Sequence, residues 1–161
     1  MEINTTDLCD MYSDKLKVAE PIGFKDFGGK KSFFGQMHTI KCFENNPFIR
    51  RAMEENGEGK VLVIDGGGSL RCALMGDNMA ELALKNKWSG IILYGCIRDS
   101  VAIAKLNIGL KALNTNPMKS FKRNDGEENV ILHFAGIDFT PGAFVYCDED
   151  GIVVCKEKLE P

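Results

Sequence analysis

No apolar stretch of this sequence approaches the roughly 20 residues needed to cross a bilayer. Its first residues, Met1-Glu2-Ile3-Asn4-Thr5-Thr6-Asp7, lack the basic and apolar regions of a secretory leader. The expectation is a soluble, cytoplasmic protein with no membrane partner. Paired cysteines are missing too: Cys9, Cys42, Cys72, Cys96, Cys147 and Cys155 are widely spaced, with no C-x-x-C and no histidines at zinc-ligand spacing. They read as reduced, small buried hydrophobes. There is no basic stripe, since the formal charge is −3 and Lys and Arg are scattered outside Lys119–Arg123. Direct nucleic-acid binding is therefore disfavoured, and Lys119–Arg123 reads as a solvated loop. Gly66-Gly67-Gly68 is not G-x-G-x-x-G and no Lys-Ser/Thr pair follows it, so neither a dinucleotide nor a P-loop nucleotide is supported. No lysine is marked out as a Schiff-base former. His38 and His133, the two histidines, fit no triad or metal motif and read as packed or surface side chains.

What is present is an ordinary globular composition. Hydrophobic content of 44% and charged content of 27% exclude disorder, collagen and coiled coil. A chain of 161 residues suits one domain, 1–161, burying about 68–70% of its unfolded surface. Thr5 or Thr6 is expected to cap a short helix running to Tyr12. Alternation over Ser32–Phe43 predicts a strand, and Pro47 opens a helix over Phe48–Glu55. A short helix over Ser100–Leu106 and a strand over Ile108–Leu113 follow, and Val130–Phe134, Ala143–Cys147 and Gly151–Cys155 read as closing strands. Elements alternate early and strands dominate late, which argues for a mixed α/β architecture.

The most informative stretch is central. Val61-Leu62-Val63-Ile64 is a buried strand ended by Asp65-Gly66-Gly67-Gly68, where close backbone packing near a site is expected. From Asp77 to Lys87, Met79, Ala80, Leu82, Ala83 and Leu84 recur at helical spacing, with Glu81 and Lys85 at i and i+4. Gly90–Gly95 is a second apolar run that delivers Arg98 and Asp99 just past its end, where ligand sites of α/β folds gather. On spacing alone Asp77 and Asp99 also fit as helix caps, Arg98 as a surface ion pair with Asp99 or Glu81, and Gly76–Met79 as a plain helix start.

Asp77, twenty residues, then Arg98-Asp99 resembles the signature of class II pyruvate aldolases related to the regulator of ribonuclease activity A. The segments Val63–Arg71, Gly76–Ala80, Ile92–Asp99 and Pro141–Ala143 are similar to the same family, and the resemblance runs over nearly the whole chain. It implies a swivelling β/β/α domain, layered sheets flanked by helices, assembled as a homotrimer. It also implies retro-aldol cleavage of 4-hydroxy-4-methyl-2-oxoglutarate or a similar keto acid to pyruvate, with oxaloacetate decarboxylation through the same enolate.

In that resemblance Asp99 holds a divalent cation, Mg²⁺ or Mn²⁺, and Asp77 steadies a water beside it. Arg98 pairs with the α-keto acid through its planar fork. Gly76, Asp77, Asn78 and Met79 bind substrate, their amides offering an anion site for the far carboxylate. The competing implication is a non-catalytic protein that binds a ribonuclease partner; such regulators as a rule lack the aspartate-arginine-aspartate set, which is complete here. The tail Lys156–Pro161 ends where some longer aldolases continue and lend a carboxylate to a neighbouring subunit.

Overall fold

The structure, a computed structural model, describes residues 3–160. In chain order the elements are α1 (Thr5–Tyr12), β1 (Leu16–Val18), β2 (Lys25–Asp26), β3 (Phe33–Lys41), α2 (Pro47–Met53), β4 (Lys60–Asp65), β5 (Ala73–Met75), α3 (Asp77–Lys85), β6 (Gly90–Ile97) and α4 (Ser100–Ile103). Six strands follow: β7 (Gly109–Thr115), β8 (Glu127–Glu128), β9 (Leu132–Phe134), β10 (Ile137–Phe139), β11 (Phe144–Asp148) and β12 (Gly151–Cys155).

The continuous apolar runs of β4 and β6 have no polar face to turn to water, so they lie in the centre of a parallel set covered on both sides. The main sheet runs β1-β12-β11-β3-β4-β6-β7-β2, with β3, β4, β6 and β7 parallel and the outer pairs antiparallel. Strand alternation divides β4 between two cores. Leu62 and Ile64 pack with Ile49 and Met53 of α2 and Ala80 and Ala83 of α3. Val61 and Val63 face Leu132, Phe134 and Phe139 of the β9–β10 hairpin. Helices on one face and a second β layer on the other give the expected layered β/β/α arrangement. A third cluster, with Leu8, Tyr146 and Leu159, seats α1.

Two glycines let the layers close. Phe33, 1% exposed, lies across β6 and β7, where a Cβ on Gly90 or Gly109 would stand 2.1 Å from its ring. Among the described residues, no helix is long and apolar enough to cross a membrane. All six cysteines are free and only Cys9 is not fully buried. Burial, with Asp65 adding to it, pushes the Cys42 thiol up to about 12, and burial raises Cys147 as well. Raised thiols of this kind are inert packing groups.

Several expectations need correction. The cap of α1 is Asn4, whose side chain accepts from the Asp7 N–H, not Thr5 or Thr6. Thr5 instead donates its N–H and its hydroxyl to buried Asp148, each at 2.7 Å. Those bonds outweigh the burial that alone would raise Asp148, and hold its carboxyl below the usual range. Helix α2 stops at Met53 rather than Glu55, and α4 at Ile103 rather than Leu106. β1, β2, β5, β8 and β10, of two or three residues each, carry too little pattern to be read from sequence.

Candidate active site

The three residues of the signature meet because of a pairing the sequence did not announce. Short β5 runs parallel to β6 with Met75 opposite Ile97, so the chain after each strand leaves the same sheet edge in the same direction. Gly76-Asp77 therefore stand beside Arg98-Asp99, and the Arg98 N–H donates to the Met75 carbonyl at 3.0 Å. The carboxyl ends of adjacent parallel strands are where α/β folds bind ligands.

Asp99 occupies the cap position of α4, but its side chain makes no bond to that helix. Its backbone is left-handed, φ 62°, a region Asp tolerates better than most residues and that concentrates at functional sites. The carboxylate turns away, and Oδ2 accepts the Asp77 N–H at the start of α3 from 3.1 Å. Asp77 bends its own Oδ1 onto the Asn78 N–H at 2.8 Å. Each aspartate keeps one oxygen outside these bonds. Gly76 is what permits the approach: a Cβ there would lie 2.4 Å from Asp99 Oδ2.

Around these residues lies a cleft of about 210 Å³, lined by Gly76–Met79, Arg98 and Asp99 and also by Asn46, Arg50, Lys119 and Ser120. Arg98 is exposed and, among the described residues, forms no ion pair, so the surface pairing with Asp99 or Glu81 is not made. A single carboxylate with a free oxygen, a second carboxylate alongside and open solvent match what Mg²⁺ accepts, one or two carboxylates with the remaining positions filled by water and substrate.

The second group of lining residues was missed by sequence reasoning. Asn46 precedes Pro47 at the head of α2 and has the look of a cap, yet makes no cap bond. Its Nδ2 reaches the Leu74 carbonyl at 2.9 Å and Met79 Sδ at 3.4 Å, tying α2 to the cleft wall. A cap residue that does not cap is a local rule broken at a site, but only the structure reveals it. Lys119 and Ser120 belong to the run read as a solvated loop, and that loop is exposed, but these two residues also line the cleft. That loop is anchored by the carbonyl of Glu44, which accepts the Phe121 N–H at 2.9 Å. Glu44 is itself fixed by Arg71 and Ser69, whose hydrogen bonds hold its carboxyl below the usual carboxylate range.

Gly66, Gly67 and Gly68 do pack closely, against Tyr94, Leu74 and Phe43, but none lines this cleft. His38 is half-buried beside Trp88 and bonds Glu128 at 2.7 Å. With Glu55 it forms a group whose ligand atoms lie within 4.8 Å of one another, assembled from positions too far apart for any motif. It is compatible with a divalent ion, but it shares no residue with the cleft.

The family model described as RraA-like: Aldolase/RraA matches residues 5–154. A relative from Alkalilimnicola ehrlichii, named "Putative 4-hydroxy-4-methyl-2-oxoglutarate aldolase", is 52% identical over 99% of this chain and 98% of its own. One of the same name from Aromatoleum aromaticum is 49% identical over 99% of each. Among solved structures, the RNA-processing inhibitor RraA from Thermus thermophilis superimposes with TM-score 0.94 at 42% identity, over 99% of this chain and 96% of that one. A Geobacillus kaustophilus protein named as S-adenosylmethionine: 2-dimethylmenaquinone methyltransferase superimposes with TM-score 0.95 at 44% identity, over 98% and 97%. With the family model spanning nearly the whole chain and relatives at half identity end to end, the chain belongs to the RraA-like family of aldolases and RraA proteins.

Proposed function

We propose that the chain is a divalent-metal-dependent lyase that cleaves 4-hydroxy-4-methyl-2-oxoglutarate or a similar keto acid to pyruvate and a second carbonyl compound, and decarboxylates oxaloacetate through the same enolate. The observation that carries this reading is the β5–β6 register, which gathers Asp77, Arg98 and Asp99 at one cleft with a free carboxylate oxygen on each aspartate. The names of the relatives from Alkalilimnicola and Aromatoleum support it.

The chemistry asks three things of these residues. The guanidinium of Arg98 pairs with the keto-acid oxygens and faces the negative charge that collects on the ketone oxygen as the C3–C4 bond breaks. A water held against the free oxygen of Asp77 takes the C4 hydroxyl proton; the C3–C4 electron pair becomes the enolate, C4 leaves as a carbonyl, and the proton returns to C3. In oxaloacetate the same bond breaks with loss of CO₂, and a proton from water completes pyruvate. Asp99 would hold Mg²⁺ or Mn²⁺, with Asp77 beside it, and the ion would supply Lewis-acid polarisation of the ketone. The Gly76–Met79 segment forms the substrate-facing wall.

The second reading, a non-catalytic regulator of a ribonuclease, is favoured by the likeness to the Thermus inhibitor. Inhibition separates the two. A lyase should bind oxalate, which mimics the planar enolate, far more tightly than succinate, because enzymes favour the transition-state-like species. Oxalate is expected to inhibit oxaloacetate decarboxylation strongly and succinate weakly. Equal weak effects, with no pyruvate released, would leave the regulator as the better reading.

Gly76→Ala tests the geometry. The added methyl group displaces the Asp99 carboxylate, so turnover should fall on the order of 10-fold or more, since misplacement by about 1 Å is costly. The melting temperature should stay within a few degrees, and unchanged turnover would show that Asp99 need not sit there.

We also propose assembly into a homotrimer. Leu70, Val101 and Met118 are 58%, 74% and 60% exposed. Met118 and the cleft residue Ala73 are joined backbone to backbone, and Asn116 bonds the Leu70 carbonyl. Exposed apolar groups beside a cleft mark an interaction surface. Light scattering should give three times the 17.8 kDa chain mass; a monomer at working concentration would contradict this.

A further inference from the structure

The helix start that faces the cleft is largely occupied by the protein itself. Of the first three N–H groups of α3, that of Asp77 is taken by Asp99 and that of Asn78 by Asp77, leaving Met79. One amide is a poor site for a whole carboxylate, so the far end of a diacid needs another partner.

The cleft offers one. Its walls carry three cations, Arg50, Arg98 and Lys119, against two carboxylates. Lys119 forms no ion pair among the described residues, and Arg50 makes only a 3.9 Å contact with exposed Glu54. Bound metal would make the site still more positive, an excess that a monoanionic keto acid does not neutralise. The excess also has a direction. An adjoining groove shares Arg98 and Lys119 with the cleft, continues to Lys122 and Arg123, and is lined by no carboxylate. The aspartates thus mark the reacting end, and positive charge extends from it.

We propose that Arg50 and Lys119 are specificity-determining residues that bind the second carboxylate of the substrate, so that the site selects dianionic keto acids over monoanionic ones. This rests on the lyase reading for the identity of the keto acid. The selection itself depends only on charge and on where the cations stand. Both residues are exposed, and their replacement leaves the cores intact.

The test is calorimetric binding of two unreactive probes to the full chain in Mg²⁺: 2-oxoglutarate, which has the second carboxylate, and 2-oxobutanoate, which lacks it. The parent should bind 2-oxoglutarate about 10-fold or more tightly, the worth of one charge-assisted hydrogen bond. Lys119→Met and Arg50→Met should each erase most of that preference while moving 2-oxobutanoate by less than about twofold. With oxaloacetate, the same variants should raise KM and leave kcat near the parent's. Equal binding of both probes by the parent, or equal weakening of both in the variants, would overturn the proposal. Diacid preference in a parent that releases no pyruvate would sink the lyase reading and leave this subsite standing.

Discussion

Arg98→Lys is expected to lose on the order of 10²–10³ in the rate of pyruvate release while remaining folded. Arg98 is exposed at the end of β6 and held there by its backbone bond to Met75, so nothing in the cores depends on its side chain. Lysine keeps the charge but replaces a planar fork with a compact ammonium, which cannot hold carboxylate and ketone oxygens together. The loss should lie mainly in kcat, because the interaction strengthens as charge moves onto the ketone oxygen. Oxalate inhibition should weaken in parallel. A variant within a few-fold of the parent would remove Arg98 from the reaction.

Asp99→Asn is the second large effect. The amide keeps the size of the side chain and an oxygen for the Asp77 N–H, so the local backbone should survive. What disappears is the negative charge that attracts a hard cation. Mg²⁺ affinity measured by titration calorimetry should fall steeply, and turnover by about 10² or more, in line with the several kcal/mol a catalytic metal contributes. The group of His38, Glu55 and Glu128 provides an internal comparison, because it lies outside the cleft. If Asp99→Asn left Mg²⁺ affinity unchanged, the ion would bind elsewhere, and His38→Ala would show whether that group holds it.

The parts of this molecule legible in its sequence are those where pattern repeats. The apolar runs at Val61–Ile64 and Gly90–Gly95 and the helical spacing from Asp77 announce themselves over several residues, and the strands and helix lie there. β5 does not, because three residues carry no period, yet its pairing with β6 brings Asp77 to Arg98 and Asp99. The sequence therefore held the signature but not the reason its members meet. Asn46, Arg50 and Lys119 stayed hidden for a different reason: an asparagine before proline and a lysine in a basic run each have an ordinary local explanation. Only long-range folding, with α2 and the loop after β7 closing on the same strand ends, gives them a shared surface.

Pyruvate release is the most direct measure of the central claim. The purified chain is incubated with oxaloacetate or 4-hydroxy-4-methyl-2-oxoglutarate in Mg²⁺, the product is followed by a coupled enzyme, and the reaction without protein is subtracted. Release from both substrates that stops on chelation and returns with Mg²⁺ or Mn²⁺ is the predicted result. No release above background from either substrate in Mg²⁺, or release indifferent to chelation, would contradict a metal-dependent pyruvate lyase.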